Sequence, residues 1–507
     1  MMSSSVQLEA LCAPGAEETT KTQANRLLRR VFSFPVVLGA LLVLLTVFTV
    51  RSRFSDPDLW YHLKIGEIIW NTHSIPRVDS FSFTANGHAW VAQEWLSQLT
   101  MYGAYKLGGY SGLMLWLWVL SSALILGAYL LCTLHSQNPK IAFVGGMLTW
   151  LFSTIGLAIR PHILGYVFLV CELILLHLGR SRDRRWLLAL PPLFALWINC
   201  HGSFFLGLIV LAVAVLFAFT NFRVGLLVAE PLGKRCQMML VAAFVFSIAA
   251  LGLNPLGFRL IFNPVEVMGK LHMNLTQVAE WKPTNLDDIR GVALFGVAGL
   301  ILILPLLRRT ELPAQEVLLL LLGFGFAAQH SRMLFVFGIL VPPIFCRMLA
   351  GAWDRYHMEM DRVLPNVFMM ALLTPLIVLL FPSARDLKEQ VERGNPVKAL
   401  EYIGRAGLSG RMLNEYVYGG YLIWAAPQYK VFIDGRGDIF ELTGIFAEYG
   451  EWLTVQADPK VLLDKYHIDF CLLSRDAPVT HVLPLLPGWK MVYSDASSSV
   501  FARQRPI

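Results

Sequence analysis

Long apolar runs constrain this chain more than any other feature of its sequence. About eleven such runs follow one another, at roughly 20 residues each, the length that an α-helix needs to cross a bilayer. Some runs are short, and 187–200 followed by 203–222 could be one broken helix. Only 15% of the 507 residues are charged, too few to cover the surface of a soluble protein of this size. The sequence therefore predicts a polytopic α-helical membrane protein with about 11 transmembrane helices, at 32–50, 110–132, 141–159, 163–179, 187–200, 203–222, 237–253, 289–306, 312–329, 333–350 and 364–381.

The basic residues predict the orientation of these helices. With the N-terminus inside, every strongly basic short loop falls on the inner side, as the positive-inside rule requires. These loops contain Arg180, Arg182, Arg184, Arg185, Arg223, Lys234, Arg235, Arg308, Arg309, Arg355 and Arg362. The net charge of +7 then reflects topology, and no nucleic acid partner is expected. We expect a multi-pass protein of the cytoplasmic (inner) membrane.

Three regions differ in composition. Residues 1–31 are polar and predict a disordered cytoplasmic N-terminus. Residues 32–382 form the transmembrane domain, with a long outer loop at 51–109. Residues 383–507 alternate between strand patterns at 430–434, 468–474 and 490–494 and helix patterns at 395–405, 443–456 and 458–466, which predicts an extracytoplasmic α/β domain. The seven cysteines are scattered without a CxxC pair, so neither a disulfide framework nor a zinc site is indicated.

The outer loop begins with an acidic motif, Asp56-Pro57-Asp58. Pro57 suits the first position of a helix that Asp56 caps, and Asp58 and His62 then lie on one face. Under one interpretation the two aspartates only cap the helix and favour its dipole. Under the other, Asp56, Asp58 and His62 bind a divalent cation, or an aspartate removes a proton from an acceptor hydroxyl.

A second acidic residue, Glu94, follows in the same loop between His88, Trp90 and Trp95. The tryptophans are typical of an interfacial helix with aromatic anchors. Glu94 stands among apolar residues and is a candidate second catalytic acid.

Cationic and imidazole residues stand at outer breaks between apolar runs. Any one of them could be a snorkelling or loop-capping residue. Together they predict a ring near the headgroup level that suits an anionic phosphate, with arginine supplying paired donors. The ring comprises Arg160, His162, His201, His330 and Arg332. The pair Glu280-Trp281 extends the polar outer surface. Glu172 lies within a run and is the one candidate group near the bilayer midplane.

The C-terminal region carries Asp434-Gly435-Arg436-Gly437-Asp438 directly after a predicted strand. The pattern fits a tight turn held by an Asp–Arg pair. It equally fits a site formed by Asp434, Arg436 and Asp438, which would bind an acceptor or dock onto the membrane domain.

These features together resemble the GT-C glycosyltransferase superfamily, which includes oligosaccharyltransferase catalytic subunits, protein O-mannosyltransferases and aminoarabinose transferases of lipid A. The stretches DPDLWYHLKIGEIIW, IPRVDSFSFT, HAWVAQEWL, NEYVYGGYLIW and VFIDGR also resemble uncharacterised bacterial membrane proteins. No WWD-type motif is present, so recognition of a peptide acceptor is not expected.

The resemblance implies transfer of a sugar from a donor on polyprenyl phosphate or pyrophosphate to an unknown glycan, lipid or protein acceptor outside the membrane. Asp56, Asp58 and Glu94 would be the catalytic residues, and the cationic ring would bind the donor phosphate. A divalent cation such as Mg²⁺ or Mn²⁺ is optional, because some superfamily members work without metal. Two other classes stay open: a lipid or solute transporter or flippase, for which Glu172 would matter, and a non-catalytic membrane assembly protein.

Overall fold

The computed structural model describes residues 27–54, 56–258, 260–262 and 281–504. Most of the predicted N-terminal segment 1–31 lies outside these residues, but its last part, 27–31, is helical and not disordered. Glu280 and much of the predicted outer loop 254–288 also lie outside them.

Each of the eleven apolar runs contains a helix. Among the described residues before 382, the α-helices with assigned bounds are α1 (Phe34–Val50), α2 (Leu59–Thr72), α3 (Trp95–Ser136), α4 (Pro139–Ser153), α5 (His162–Ser181), α6 (Leu190–Cys200), α7 (Phe204–Phe219), α8 (Lys234–Ala250), α9 (Ile289–Arg308), α10 (Ala314–Gln329), α11 (Leu334–Met348) and α12 (Val363–Leu380).

Length and composition single out five described helices that could cross a membrane by themselves: α3, α5, α9, α12 and the segment Ser331–Met348, which contains α11. A polytopic helical membrane fold follows from these helices. The number of crossings and their orientation stay predictions from the sequence.

Helix α3 joins the outer loop to the membrane part. It starts at Trp95, well before the apolar run 110–132, and Gly108 and Gly109 interrupt its helical backbone. The φ of Gly109 is 57°, a conformation that glycine adopts without steric cost. The amphipathic helix α2 packs along the first part of α3, where a Cβ at Gly66 would overlap the carbonyl oxygen of Gln98.

The centre of the bundle is formed by α3, α4 and α11. The rings of Phe152 and Phe337 meet edge to face with centroids 5.1 Å apart. A Cβ added at Gly338 would lie 2.6 Å from the Cβ of Phe152, so the small residue permits the close approach of α4 and α11. In a bilayer, where lipid tails are as apolar as these side chains, such close contact stabilises helix association through van der Waals packing.

Three short strands pair the connection between α7 and α8 with the connection between α9 and α10. Strand β1 (Phe222–Val224) pairs antiparallel with β2 (Leu227–Ala229), and β2 pairs parallel with β3 (Leu312–Pro313). The helix predicted at 312–329 therefore begins only at Ala314, because Leu312 and Pro313 belong to β3.

The C-terminal region folds around a four-stranded sheet. Its strands are β4 (Met412–Asn414), β5 (Phe470–Ser474), β6 (Trp489–Ser494) and β7 (Ser498–Arg503), in the order β4-β5-β7-β6. Only β4 and β5 run parallel. The helices are α13 (Ala384–Gly394), α14 (Val397–Arg405), α15 (Tyr416–Ala425), α16 (Gly437–Leu442), α17 (Ile445–Leu453) and α18 (Pro459–Lys465).

The predicted strand 430–434 is wrong, and the reason is local. Only Val431 makes a bridge, and its partner is Ser82 of the outer loop. The side chain of Asn414 accepts a hydrogen bond from the backbone nitrogen of Phe432 and donates one to the carbonyl oxygen of Ile433. The buried side chain of Asn414 thus makes hydrogen bonds that a neighbouring strand would otherwise make. Residues 430–434 therefore lie between the outer loop and the C-terminal sheet without forming a strand.

Candidate active site

One cavity of about 490 Å³ collects polar side chains from segments that lie far apart in the sequence. It is referred to below as the main cavity. Its wall includes Asp58 and His62 of the first outer loop, Glu94, Arg160 and His162 before and at the start of α5, His201 between α6 and α7, Arg332 before α11, and Asp438 of the C-terminal region.

The acidic motif has a different local structure from the one expected. Helix α2 begins at Leu59, so Asp58 and not Asp56 occupies the capping position, and the side chain of Asp58 makes no capping hydrogen bond. The backbone nitrogen of Asp58 donates instead to Oδ1 of Asp56, 3.0 Å away. This turn directs both carboxylates towards Arg160.

Arg160 bridges the two aspartates. Its Nε lies 2.6 Å from Oδ2 of Asp56, and one terminal nitrogen lies 3.2 Å from Oδ2 of Asp58. All three side chains are less than one-fifth exposed. Since charge-assisted hydrogen bonds of this length are strong, the guanidinium is held in a fixed position at the cavity wall.

A smaller cavity of about 140 Å³ adjoins the main one and is referred to below as the small cavity. The two share Arg160, His162 and Arg332, while Asp56 and Arg53 line only the small cavity. Sequence reasoning did not identify Arg53, although its position just after the first apolar run was a usable signal.

Glu94 lies between two imidazoles. Its Oε1 is 3.3 Å from Nε2 of His201, and its Oε2 is 3.8 Å from Nδ1 of His62. Nδ1 of His201 accepts a hydrogen bond from the backbone nitrogen of Ser203 at 3.1 Å. A neutral His201 therefore carries its proton on Nε2 and donates it towards Glu94.

Burial shifts the protonation of this group. It raises the pKa of Glu94 to about 8, while the positive charge of Arg332 opposes the shift. Burial and the charge of Arg332 lower the pKa of His201 to about 3, which keeps this imidazole neutral. The pKa of His62 is likewise well below its ordinary value, first through burial and then through Arg160. Glu94 is thus a carboxyl group poised to exchange a proton close to neutral pH.

Two members of the predicted cationic ring have other neighbours. Nδ1 of His330 lies 2.8 Å from the carbonyl oxygen of Trp281, and this histidine is not among the residues that line either cavity. The guanidinium of Arg332 lies over the Trp281 ring, 5.4 Å from its centroid. His330 therefore positions Trp281, whereas Arg332 and Trp281 both face the main cavity.

The three charged residues of the C-terminal motif separate into two roles. Arg436 forms a buried pair with Asp434 at 2.6 Å and a second with Asp79 of the outer loop at 2.7 Å. The rings of Phe81 and Trp90 each lie 5.0 Å from its guanidinium carbon. Asp434 and Arg436 thus tie the C-terminal region to the outer loop.

Asp438, in contrast, faces the main cavity from the first turn of α16. Burial raises its pKa to about 6, and hydrogen bonds from backbone nitrogens and the charge of Arg436 oppose the shift. The C-terminal region therefore contributes a carboxyl group to the same cavity as Asp58 and Glu94.

The predicted metal ligands are not gathered at one point. Asp56 and Asp58 both contact Arg160, and Nδ1 of His62 lies 3.0 Å from the side-chain nitrogen of Gln98. Among the residues that the structure describes, no group of three or more His, Cys, Asp or Glu side chains is arranged to hold a metal ion. The optional divalent-cation site at Asp56, Asp58 and His62 is not supported by this arrangement.

No protein-family model matches the sequence, and no curated protein matches it significantly. Solved structures do match the fold. The oligosaccharyltransferase of Archaeoglobus fulgidus, tethered with an acceptor peptide containing the NVT sequon, aligns over 94% of this chain and 75% of its own, with a TM-score of 0.54 and 14% identity.

Two further structures match at similar levels. The archaeal oligosaccharyltransferase AglB from Archaeoglobus fulgidus, in complex with an inhibitory peptide and a dolichol-phosphate, covers 87% of this chain and 69% of its own, with a TM-score of 0.50 and 12% identity. The arabinofuranosyltransferase AftD from Mycobacteria covers 93% of this chain and 42% of its own, with a TM-score of 0.50 and 13% identity. At these identities the likeness concerns the fold, and it confirms the GT-C fold that the sequence resemblance implies.

Proposed function

We propose that this chain is a membrane glycosyltransferase that moves a sugar from a polyprenyl-phosphate-linked donor to an acceptor in the main cavity. The observation that carries the proposal is the convergence of carboxyl groups that follow α1 with cationic groups from distant helix ends. Asp58, Glu94, Arg160 and Arg332 line one cavity. The fold neighbours are sugar or glycan transferases, and one of them is bound to a dolichol-phosphate.

The reaction needs a cation for the leaving group and a base for the acceptor. The bond between the anomeric carbon and the phosphate oxygen breaks, and its electron pair goes to the phosphate. A bond forms between the anomeric carbon and the acceptor oxygen, whose proton passes to a carboxylate. A single displacement of this kind inverts the anomeric configuration.

We assign the leaving phosphate to Arg160 and Arg332, because both line the two adjoining cavities. Removing one preorganised donor to a developing negative charge costs roughly a hundredfold to a thousandfold in rate. Asp56 and Asp58 engage Arg160 directly, so we assign them to holding this guanidinium against the phosphate.

We assign proton removal to Glu94. It faces the main cavity, and its contacts are with the imidazoles of His201 and His62. The proton that His201 directs at Oε1 fixes the orientation of the carboxyl group. A general base works best when its pKa lies near the working pH, which the pKa of about 8 satisfies.

A transporter would need Glu172 to face a path through the membrane. The side chain of Glu172 is completely buried, and it packs with Trp197 against Gly207. The polar groups that line the main cavity instead lie at the ends of helices and in the loops between them. This placement supports chemistry at one membrane face over passage across the bilayer.

The proposal is tested with the full chain in nanodiscs. A panel of undecaprenyl-phosphate sugars, each labelled in the sugar, is supplied together with a bacterial envelope fraction as the source of acceptors. We expect label to enter envelope material with at least one donor, and to do so far more slowly with Arg160→Gln. No transfer above the background of the Arg160→Gln variant with any donor would contradict the proposal.

A further inference from the structure

The two adjoining cavities differ in the charges that face them. Among the described residues, the small cavity is lined by the guanidinium groups of Arg53, Arg160 and Arg332 and by the single carboxylate of Asp56. It also has less than a third of the volume of the main cavity, about 140 Å³ against about 490 Å³. A small, mainly cationic space of this kind suits one compact anion.

The main cavity has a different lining. The carboxyl groups of Asp58, Glu94 and Asp438 face it. Arg436 also lines it, but the charge of Arg436 is already compensated by Asp434 and Asp79. The two cavities share Arg160 and Arg332, so these arginines stand at the boundary between a cationic and an acidic space.

We propose that the donor carries a single phosphate, which lies in the small cavity against Arg53, Arg160 and Arg332, while the sugar and the acceptor occupy the main cavity. This inference rests on the proposed function and narrows the donor, because the sequence leaves polyprenyl phosphate and polyprenyl pyrophosphate open. It also assigns Arg53, which lies outside the predicted cationic ring, to recognition of the donor.

Charge complementarity excludes a second phosphate. If a diphosphate filled the small cavity with its outer phosphate, the phosphate next to the sugar would lie in the main cavity, among the carboxyl groups of Asp58, Glu94 and Asp438. The carboxylates of Asp58 and Asp438 would then face this phosphate as like charges in a partly desolvated site, which weakens the binding of a diphosphate. A single phosphate avoids this contact and leaves the sugar beside the carboxyl groups.

The same division fits the charges that the reaction creates. As the bond between the anomeric carbon and the phosphate oxygen breaks, positive charge develops on the sugar ring and negative charge on the leaving phosphate. Carboxyl groups of the main cavity face the sugar ring, and the guanidinium groups of the small cavity face the leaving phosphate. The boundary formed by Arg160 and Arg332 therefore coincides with the bond that breaks.

Arg53 can change without disturbing the bundle. It is exposed, and it donates a hydrogen bond to the carbonyl oxygen of Thr154, 3.1 Å away. Arg51 provides a matched control two residues earlier: its guanidinium lies over the ring of Phe48, 4.6 Å from the centroid, and it lines neither cavity.

The first experiment measures binding alone, with the full chain in nanodiscs and with farnesyl phosphate and farnesyl diphosphate as probes. We expect the monophosphate to bind about tenfold or more tightly, and Arg53→Gln to weaken its binding by about tenfold, as for loss of one charged hydrogen bond. Arg51→Gln should bind like the wild type. Equal or tighter binding of the diphosphate, or an unchanged affinity in Arg53→Gln, would overturn the inference.

The second experiment separates this inference from the proposed function. Labelled sugars are supplied on undecaprenyl phosphate and on undecaprenyl diphosphate, and transfer into envelope material is compared. Transfer from the monophosphate donor alone, with a raised donor KM in Arg53→Gln, supports the inference. Transfer from the diphosphate donor overturns it and leaves the glycosyltransferase proposal intact, whereas transfer from neither donor counts against both.

Discussion

Gly435 lies so close to Asp58 that a Cβ added to the glycine would overlap Oδ1 of the aspartate. A backbone segment of the C-terminal region thus forms the wall against which the carboxylate of the first outer loop rests. The acidic motif is held from two sides, by Arg160 and by this glycine.

Gly435→Ala should displace Asp58 and slow transfer at least tenfold, since overpacking of this kind typically costs about 1–3 kcal/mol. The rate of sugar transfer at saturating donor checks this. Gly404→Ala is the matched control, because a Cβ there meets nothing within 4 Å and alanine favours a helix over glycine. Equal activity of the two variants would show that Gly435 does not position Asp58.

Arg160→Gln should lower the rate of transfer by roughly a hundredfold or more, because it removes a fixed donor to the leaving phosphate. Arg160→Lys should recover only part of this loss, since an ammonium group cannot bridge Asp56 and Asp58 as the guanidinium does. Single-turnover rates measure the effect, with the exposed Arg182→Gln on another loop as control.

The pH profile of transfer tests Glu94. Burial holds the proton on Glu94 until its pKa of about 8, so the fraction of the carboxylate form, which is the base, grows as the pH rises from 6 towards 8. The rate should rise over this window by up to tenfold per pH unit and level off above it. Glu94→Gln should be slow at every pH and lose the rise. If the rate of Glu94→Gln rose with pH as steeply as that of the wild type, a group other than Glu94 would be the base.

Arg436→Met should destabilise the fold strongly. It leaves the carboxylates of Asp79 and Asp434 buried beside each other without their cation, a change that costs about 3–5 kcal/mol when one partner of a buried pair is removed. The midpoint of thermal unfolding in detergent is the measurement. Arg385→Met should barely move that midpoint, because Arg385 pairs with Glu389 on an exposed helix face.

Glu172→Gln should leave sugar transfer unchanged, because Glu172 lies within α5, packs on Trp197 and Gly207, and lines neither cavity. The same variant tests the transporter alternative. If Glu172 served transport, Glu172→Gln would lower the uptake of a labelled lipid into vesicles that contain the protein. A variant with normal transfer and no change in uptake keeps the transferase proposal.

Much of the candidate site was predictable, because its residues lie at or near the ends of helices. The apolar runs set the positions of the ends, and charge placement grouped Asp58, Glu94, Arg160, His201 and Arg332 on one side. The structure then brings these five side chains to one cavity. Their distances could not follow from the sequence, because they depend on how the helices pack.

The errors have identifiable causes. His330 belongs to the same break as Arg332, but its ring contacts the backbone of Trp281, and no pattern indicates the direction of a loop side chain. The segment 430–434 has a strand pattern, yet the amide of Asn414 replaces a neighbouring strand. The inferred role of Arg53 was not predicted because arginines directly after an apolar run, here Arg51 and Arg53, usually mark only the membrane boundary.

The buried link between Arg436 and Asp79 also bears on the order in which the protein matures. Asp79 is synthesised early and Arg436 late, so the wall of the main cavity stays incomplete until the ribosome has passed the last membrane helix and both segments have reached the same compartment. A chain released before residue 435 would carry the acidic motif without Gly435, Arg436 and Asp438. Under the proposed function, an unfinished chain therefore lacks part of the cavity in which the reaction takes place.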